Sequence, residues 1–583
     1  MLLVMPRRGG SAHVATIRTR GKGDVVYTSH LLRRSYRDAQ GKVRHENLGN
    51  LSHLPIEIIE SIRAQLAGRR LVDLDDGFEI ERSLPHGHVT AVLGVLRALD
   101  LERLLGRERC RERDLVVAMI VQRLIGPGSK LSATRRFGQT TLAEQLDLGE
   151  VKEAELLAAM DWLLARQQRI ENALAKRHLA GEGFMLYDLS SSYVEGRCCP
   201  LAQLGYSRDG KKGTAQVNYG LTCSPEGRPV AIGVHEGSTQ DQQTLPGAVA
   251  AVRERFAISD VVVVADRGMM TKAHAAALTE AGVEFVSALK SAQIRSLVES
   301  GDLQLSLFDE INLAEISSAE FPGERLVVCR NPAVAAERKR KRDELLAATA
   351  AELEKVRAMV ERPRGTLRTA DAGKIGARAG KVVNRYKVAK HFELEIADGA
   401  FSFARKTEQI TQEAALDGLY VIRTTCPETK LTTPAAVVRA YKQLKMAERA
   451  FRTMKDQIEI RPIHHHLEDR VRAHAFLCML AYYVAFELHV RLAPLLFTDE
   501  DRLSPLDPVA PADRSTSAKA KAGSARTADG FPAHNFGDLI AELGTLCRNE
   551  VRVGSADHTF SRLTKPTELQ ARAFDLLNIK LHK

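Results

Sequence analysis

A multidomain α/β protein is the fold class this sequence predicts: a mixed sheet with flanking helices, interrupted by a β-containing insertion. A small β unit and a helical segment precede it. Three observations carry the prediction. At 583 residues the chain is too long for one core, and length alone suggests roughly three to four domains. Residues 183–290 read as strand, hairpin, helix, strand, helix, strand, the pattern of a sheet with helices laid on it. Ahead of them the apolar period changes from the two of strands to that of helices.

Residues 1–85 form a small basic β-rich unit. Val14-Ala-Thr-Ile17 and Val25-Val-Tyr27 flank the turn Arg20-Gly-Lys-Gly23, and strands on either side of Asp38-Ala-Gln-Gly41 repeat the pattern. Residues 86–180 are helical. Val92, Leu96 and Leu99 make one stripe, and Leu115, Val116, Met119, Ile120 and Leu124 another, ending at Gly126-Pro-Gly128. With the basic Ser129–Arg136 segment behind it, this segment suits DNA contact; a packing or dimerisation bundle is an equal reading.

Residues 181–290 alternate strands and helices. Phe184-Met-Leu-Tyr-Asp188 and Val261-Val-Val-Val-Ala-Asp266 are apolar runs ending in aspartate. Between them lie strands at 216–223 and 229–235 and a helix over about 242–256; helix 271–281 and strand 284–289 follow. In this order the two aspartate-bearing strands can be neighbours. Residues 291–416 interrupt the pattern. They hold a long polar helix, about 333–361, with the run Arg338-Lys-Arg-Lys-Arg342. A Gly- and Lys-rich stretch at 364–381 and a hairpin around Asp398-Gly399 follow. The basic run suits phosphate contact or a solvated face.

Residues 417–495 resume the alternation. A strand at 419–423 leads to Thr433-Pro434, a helix start, and one helix is expected to run from there to about Ile460, before Pro462. A second helix, about 467–491, contains the longest apolar stretch, Ala475 to Phe486, which is shorter than a membrane span and reads as a buried helix. Within 496–583, residues 504–530 read as a flexible linker and the last fifty as a small helical tail.

Composition narrows the chemistry. A net charge of +11 favours a polyanionic partner, of which nucleic acid is the commonest. The eight cysteines include no Cys-x-x-Cys pair, so no zinc ribbon or thioredoxin-type site is indicated, and free thiols suit a reducing cytoplasm. Met1-Leu-Leu-Val-Met-Pro-Arg-Arg8 is too short in apolar residues for a signal peptide. A cytoplasmic protein without a membrane partner is expected. Gly205-Tyr-Ser-Arg-Asp-Gly-Lys211 begins like a phosphate loop, but Lys212 replaces Ser or Thr and no helix opens, so a turn is read there. No nucleotide cofactor is expected. His464-His-His466 reads as DNA contact or a surface cluster.

The chemistry centres on three carboxylates. On one helix, Tyr441, Leu444, Glu448, Arg452 and Lys455 would share a face that mixes a ring, a carboxylate and cations. Taken singly, Asp188 and Asp266 read as turn or cap residues. Taken together with Glu448 on a basic chain, they suit a pair of divalent ions and phosphoryl transfer on nucleic acid.

The chain resembles the DDE transposases of bacterial insertion sequences, which have a ribonuclease H-like core with a five-stranded sheet. Within them it is closest to the branch with a Tyr–x2–Arg–x3–Glu–x6–Lys signature. Tyr441, Glu448 and Lys455 match in register, and Leu444 stands where the signature has Arg. Tyr187-Asp188-Leu-Ser190 and Asp266-Arg-Gly-Met269 resemble the aspartate motifs. Leu204–Lys211, Gln216–Leu221 and Gly237-Ser-Thr-Gln-Asp241 resemble the segments between them, and Arg461-Pro462 and His474 those after the glutamate. The β-type start and the Leu48-Gly-Asn-Leu-Ser-His-Leu-Pro55 stretch are similar to the insertion-sequence-1634-like group.

The resemblance implies that Asp188, Asp266 and Glu448 hold two Mg²⁺ ions, with Mn²⁺ able to substitute. Lys455 and Arg452 would hold phosphates, Tyr441 would stack on a base or pack in the core, and Arg267 would meet a phosphate or a carboxylate. It implies a transposase that binds terminal inverted repeats in double-stranded DNA, cuts there and joins the ends to target DNA, as a homodimer in a synaptic complex. A metal-dependent endonuclease without strand transfer and a catalytically dead repressor are the alternatives. A glycosidase with two carboxylates is disfavoured, because one Trp and few aromatics suit sugar stacking poorly.

Overall fold

In a computed structural model, residues 11–581 are described, apart from 22–24, 39, 70–77, 182, 197, 259–260, 309–310, 363–370, 502–506, 511–512 and 554–558. Met1–Arg8, half of the 20–23 turn, the start of the Gly- and Lys-rich stretch and parts of the 504–530 segment lie outside them. The chain divides into two units, one of residues up to Ser83 with Arg548–Thr564, the other of Leu84–Cys547 with residues from Lys565 on.

In the first unit β1 (Ser11–Arg20), β2 (Val26–Arg37) and β3 (Val43–Asn50) form an antiparallel meander, with Val14 opposite Leu32. Helix Ile56–Leu66 follows, with Ile59 buried. The strand β4 (Phe78–Pro85) is a separate element, whose partners come from the other end of the chain.

The second unit is built around an eight-stranded sheet. Its strands are β5 (Phe184–Tyr193), β6 (Gln216–Cys223), β7 (Pro229–Glu236), β8 (Val262–Ala265), β9 (Glu284–Ala288), β10 (Leu313–Ile316) and β11 (Arg325–Arg330). After the separate hairpin of β12 (Phe392–Ala397) and β13 (Ala400–Arg405), β14 (Leu419–Thr424) completes it. The order is β10-β11-β14-β9-β8-β5-β6-β7. Only β5–β8 and β8–β9 pair in parallel; the other pairs are antiparallel. The five strands expected from sequence are β5 to β9. The sheet is wider than that expectation because β14, β11 and β10 continue it beyond β9, so the first part of 291–416 belongs to the main sheet.

Strand parity divides the sheet's two faces, because successive side chains point to opposite sides. Leu186, Val262, Val264, Val286 and Ile422 belong to the large core, with the helices Pro434–Lys442, Lys445–Asp456 and Glu468–Arg491. Met185, Tyr187, Leu189, Val263, Ala265 and Phe285 enter a second core with Leu245, Val249, Ala275 and Leu278 from helices Asp241–Ala250 and Lys272–Glu280. Gly220 on β6 answers Tyr187: a Cβ there would meet the Tyr187 hydroxyl at 2.1 Å.

The helical segment 86–180 packs onto the same large core. Val92, Leu96, Leu115, Val116 and Ile120 are buried in it, and helices Arg111–Ile125 and Glu153–Leu164 lie against Glu468–Arg491. Glu468–Arg491 is long and apolar enough to cross a membrane, yet 78% of its apolar window is buried within the protein. Residues 332–415 carry a small core of their own. Helices Pro332–Glu361 and Ala372–Tyr386 cover the β12–β13 hairpin through Leu353, Ile375, Val383, Phe392 and Phe401. The turn Asp398-Gly399 has Gly399 at φ +72°, a conformation glycine adopts freely.

Three further expectations need correction. The helix expected from Thr433 to Ile460 is broken at Gln443–Leu444 and ends at Asp456. Residues 504–530, read as a linker, contain the helix Thr516–Ser524, whose buried Lys521 donates to the Leu496 carbonyl (3.0 Å) and to Glu500 (2.6 Å). The last fifty residues are not only helical. They include β15 (Cys547–Val553) and β16 (Thr559–Leu563), which join β4 in the order β16-β15-β4.

The added half of the main sheet is fastened by a buried ion pair. Arg423 on β14 is 2% exposed and donates through Nε to Glu324 at 2.6 Å, with the rings of Phe285 and Phe321 about it. Removing one member of a buried pair leaves a charge without compensation, at a cost of about 3–5 kcal/mol. Glu324→Ala is therefore expected to destabilise the β11–β14 edge by about that much. Hydrogen exchange should show faster amide exchange in β11 and β14 than in β5 and β6; unchanged protection would contradict the assignment.

Candidate active site

Asp188 is not at a strand end, as the apolar run suggested, but in the middle of β5. Parity explains its direction. Phe184 and Leu186 pack with the large core, so Asp188 faces that side, two residues on. Asp266 stands one residue beyond β8, and by the same parity with Val262 and Val264 it faces the same way. The parallel register pairs Tyr187 with Ala265, so the next step along both strands sets Asp188 beside Asp266. The helix Lys445–Asp456 packs on this side of β5 and carries Glu448 in its first turn, where the helix N-terminus favours a negative charge.

The electrostatics agree with this placement. Burial, together with repulsion from Asp266 and Glu448, pushes the Asp188 carboxyl up to about 7; the Leu189 amide, donating to it at 2.8 Å, and Arg208 work in the other direction. The Tyr441 hydroxyl donates to Asp266 Oδ1 at 3.4 Å, and burial raises the Tyr441 phenol well above its ordinary range, with Asp266 adding to the rise. Among the described residues no three His, Cys, Asp or Glu groups are gathered tightly enough to hold a metal ion as they stand. The donor set nevertheless suits hard divalent cations: three carboxylates, two of them adjacent and mutually repelling, around which added positive charge would lower the electrostatic cost.

The remaining sequence candidates fall differently. Arg452 is exposed on the Glu448 helix. Lys455 is turned inward, and its Nζ donates to Asp209 Oδ1 at 2.8 Å. Asp209 is itself buried, accepting also from Arg461 and from the Tyr193 amide (3.2 Å). Leu444, where the signature has Arg, is 6% exposed and packs in the large core at the helix break. Arg267 is exposed. It lines a cavity of about 570 Å³ together with Arg295, Arg338, Lys341 and Lys390. Part of the 338–342 run thus faces this cavity, while Arg342, also lining it, is fixed to Asp417 at 2.7 Å.

Three residues not singled out from sequence belong to the same neighbourhood. Arg208 is paired with Asp241; Arg208 acts on Asp188, and Asp241 lies on the same side of Gly268 as Asp266. A Cβ placed on Gly268 would lie 3.7 Å from Asp266 Oδ2 and 3.8 Å from Asp241 Oδ2. Asp209 is the third. All three lie in segments already noted between the aspartate motifs, but a Ser-Arg-Asp-Gly turn gives no local sign of which charge will be buried.

Residues 188–484 match the family described as transposase DDE domain, just over half of the chain, and the protein belongs to that family. Within it the chain is a member of the IS1634-like group, since residues 14–73 match the IS1634 family transposase, N-terminal domain. No curated protein matches. Among solved structures the chain is similar to a piggyBac transposase synaptic complex with hairpin DNA, at 8% identity and a TM-score of 0.33, covering 78% of this chain and 76% of that one. That likeness is too weak to carry an argument.

The Asp209 cluster separates structural from surface charge. Asp209→Ala would leave Lys455 and Arg461 facing each other without a buried counter-ion, a loss of about 3 kcal/mol or more. Asp456→Ala, which removes only the exposed partner of Arg461, should have little effect. Melting temperatures of the two variants test this. Equal melting would show that Asp209 does not hold the cluster.

Proposed function

We propose that the chain is an insertion-sequence transposase that binds the terminal inverted repeats of its own element, cuts DNA there and joins the ends to target DNA. The observation that carries this reading is the placement of Asp188 beside Asp266 on the sheet face covered by the Glu448 helix, in a member of the transposase DDE-domain family. A ribonuclease H-like core is the fold we assign to β5–β9. In its support, three antiparallel strands are followed by two that are parallel to the first and reached through helices.

In this reading Asp188, Asp266 and Glu448 are the ligands of two Mg²⁺ ions, with Mn²⁺ able to substitute. Bound there, the ions would activate water or a DNA 3′-OH and stabilise the leaving oxygen of an in-line displacement. The protein's own groups have separate tasks. The Leu189 amide fixes one oxygen of Asp188. Tyr441 orients Asp266 from the core side, which replaces the base-stacking role considered for it. Arg208 balances the crowded negative charge and is itself steered by Asp241.

DNA is gripped chiefly by residues other than the signature pair. Leu444 has no charge and Lys455 is spent on Asp209, which leaves Arg452 and the cavity beginning at Arg267 to face the phosphates. The cations there belong to the residues after Asp266 and to the 332–415 insertion. A homodimer that pairs two ends completes the proposal.

Asp188→Asn, Asp266→Asn and Glu448→Gln are each expected to lower Mg²⁺-dependent cleavage of labelled end duplexes by about 10²–10³-fold or more. Binding of the same duplex in a gel shift without divalent ions should remain. Full cleavage by Asp188→Asn would refute the site. The wild-type protein should also yield joined product with target DNA; cleavage without joining would select the endonuclease reading.

A further inference from the structure

A second basic cavity, of about 760 Å³, is lined in part by residues that follow the Glu448 helix. Its walls come from separate parts of the chain. Arg123 ends the helix Arg111–Ile125, Lys130 opens Lys130–Arg136, Arg461 and His465 follow the Glu448 helix, and Arg470 and His474 stand on Glu468–Arg491. The acidic residues lining it are Glu153 and Glu459, both exposed.

Two of these cations are deeply buried without a carboxylate. Lys130 is 6% exposed, and its nearest described polar partner is His474 Nδ1 at 3.4 Å. Arg123 is 7% exposed and, among the described residues, donates to the carbonyls of Ile458 (3.2 Å) and Glu459 (3.0 Å) and to no carboxylate. His474 uses its other nitrogen on the Ile460 carbonyl at 2.9 Å, and His465 lies against it with ring centroids 5.3 Å apart. An ammonium and a guanidinium shut away together are costly unless an anion joins them. The strain is visible in their titration: burial, with Arg123 adding, holds Lys130 down at about 7, and burial with the same two cations holds His465 at about 3.

We propose that this cavity is a phosphate-binding site, separate from the carboxylate site, that takes a phosphate group of the DNA on which the enzyme works. The chemistry is that of a tetrahedral oxyanion. Lys130 supplies a compact point charge, the half-buried Arg470 a fork, and a neutral His465 can donate as well, while His474, whose one N–H goes to the Ile460 carbonyl, holds Lys130 in place. The cavity communicates with the active site through one chain of contacts, from Arg461 to Asp209 and on to Lys455. Lys455 lies seven residues from Glu448 on one helix, on the order of 10 Å along its axis. A phosphate held here would be within a few nucleotides of the cutting site. The phosphate chemistry stands without the transposase reading; DNA as its source rests on it.

The test measures binding without divalent ions, so that it reads no catalysis and its failure is distinct from a failure of the carboxylate site. Wild type, Lys130→Met and Arg470→Gln of the full chain are compared for affinity toward a short end duplex over a range of salt. Thermal unfolding with inorganic phosphate runs in parallel. The proposal expects each substitution to weaken the duplex about tenfold and to lower the salt slope by about one, the loss of one phosphate contact. Inorganic phosphate should raise the melting temperature of wild type and not of Lys130→Met. Stabilisation by phosphate with duplex affinity unchanged would keep the site but assign it to a free anion, overturning DNA as the source. Should Lys130→Met fold poorly, Arg470→Gln, which is only partly buried, decides. Unchanged duplex affinity, salt slope and phosphate response in Arg470→Gln would overturn the proposal.

Discussion

Two carboxylates held side by side on parallel strands set the terms for the rest of this protein. Asp188 in the middle of β5 and Asp266 one residue past the end of β8 are brought together by the parallel register of the two strands. Burial disfavours the charged form of Asp188, and the negative charge of neighbouring Asp266 adds to the cost. The Asp188 carboxyl is raised accordingly. A fold does not keep such a pair for its stability. Positive charge brought between them would relieve that cost, which is the physical basis of the metal site proposed above.

The neighbouring residues can be understood as a response to this pair. Arg208 offsets the negative charge, and Asp241 holds Arg208 while adding a further carboxylate on the same side of Gly268 as Asp266. Glu448 arrives at a helix start, where a carboxylate is favoured. The lower half of the same helix is anchored differently, with Lys455 and Arg461 drawn onto the buried Asp209. One helix therefore offers an acidic end to the site while its basic end is locked into the fold. Further cations, some of them ion-paired, line the cavities around Arg267 and around Lys130. A substrate carrying regularly spaced phosphates fits that distribution better than a small molecule does.

Much of the core was legible because its strands are apolar runs and its aspartates interrupt them. Asp266 fell where the run ended. Asp188 was read as a strand end because β5 is buried on both faces, so its sequence shows no alternation that would reveal where pairing continues. The width of the sheet was hidden for a related reason: β11 joins the sheet only through β14, with Arg325 opposite Thr424, and no local pattern encodes that. The break at Gln443–Leu444 lies among good helix formers, so only tertiary packing of Leu444 marks it. Helix Ala372–Tyr386 was masked by its glycines, although Ile375, Ala379 and Val383 keep the spacing of a buried stripe. The fate of Lys455 depended on Asp209, more than two hundred residues away, and charge pairing at that range leaves no trace in spacing.

The central claim, that the Asp188–Asp266 pair exists to hold divalent metal beneath Glu448, is tested most directly by anomalous diffraction from crystals soaked in Mn²⁺. The account predicts two manganese peaks bounded by the carboxylates of Asp188 and Asp266, with Glu448 completing the ligand set. Manganese bound only elsewhere, at the histidines of 464–466 or on the surface, with the three carboxylates left free, would contradict it.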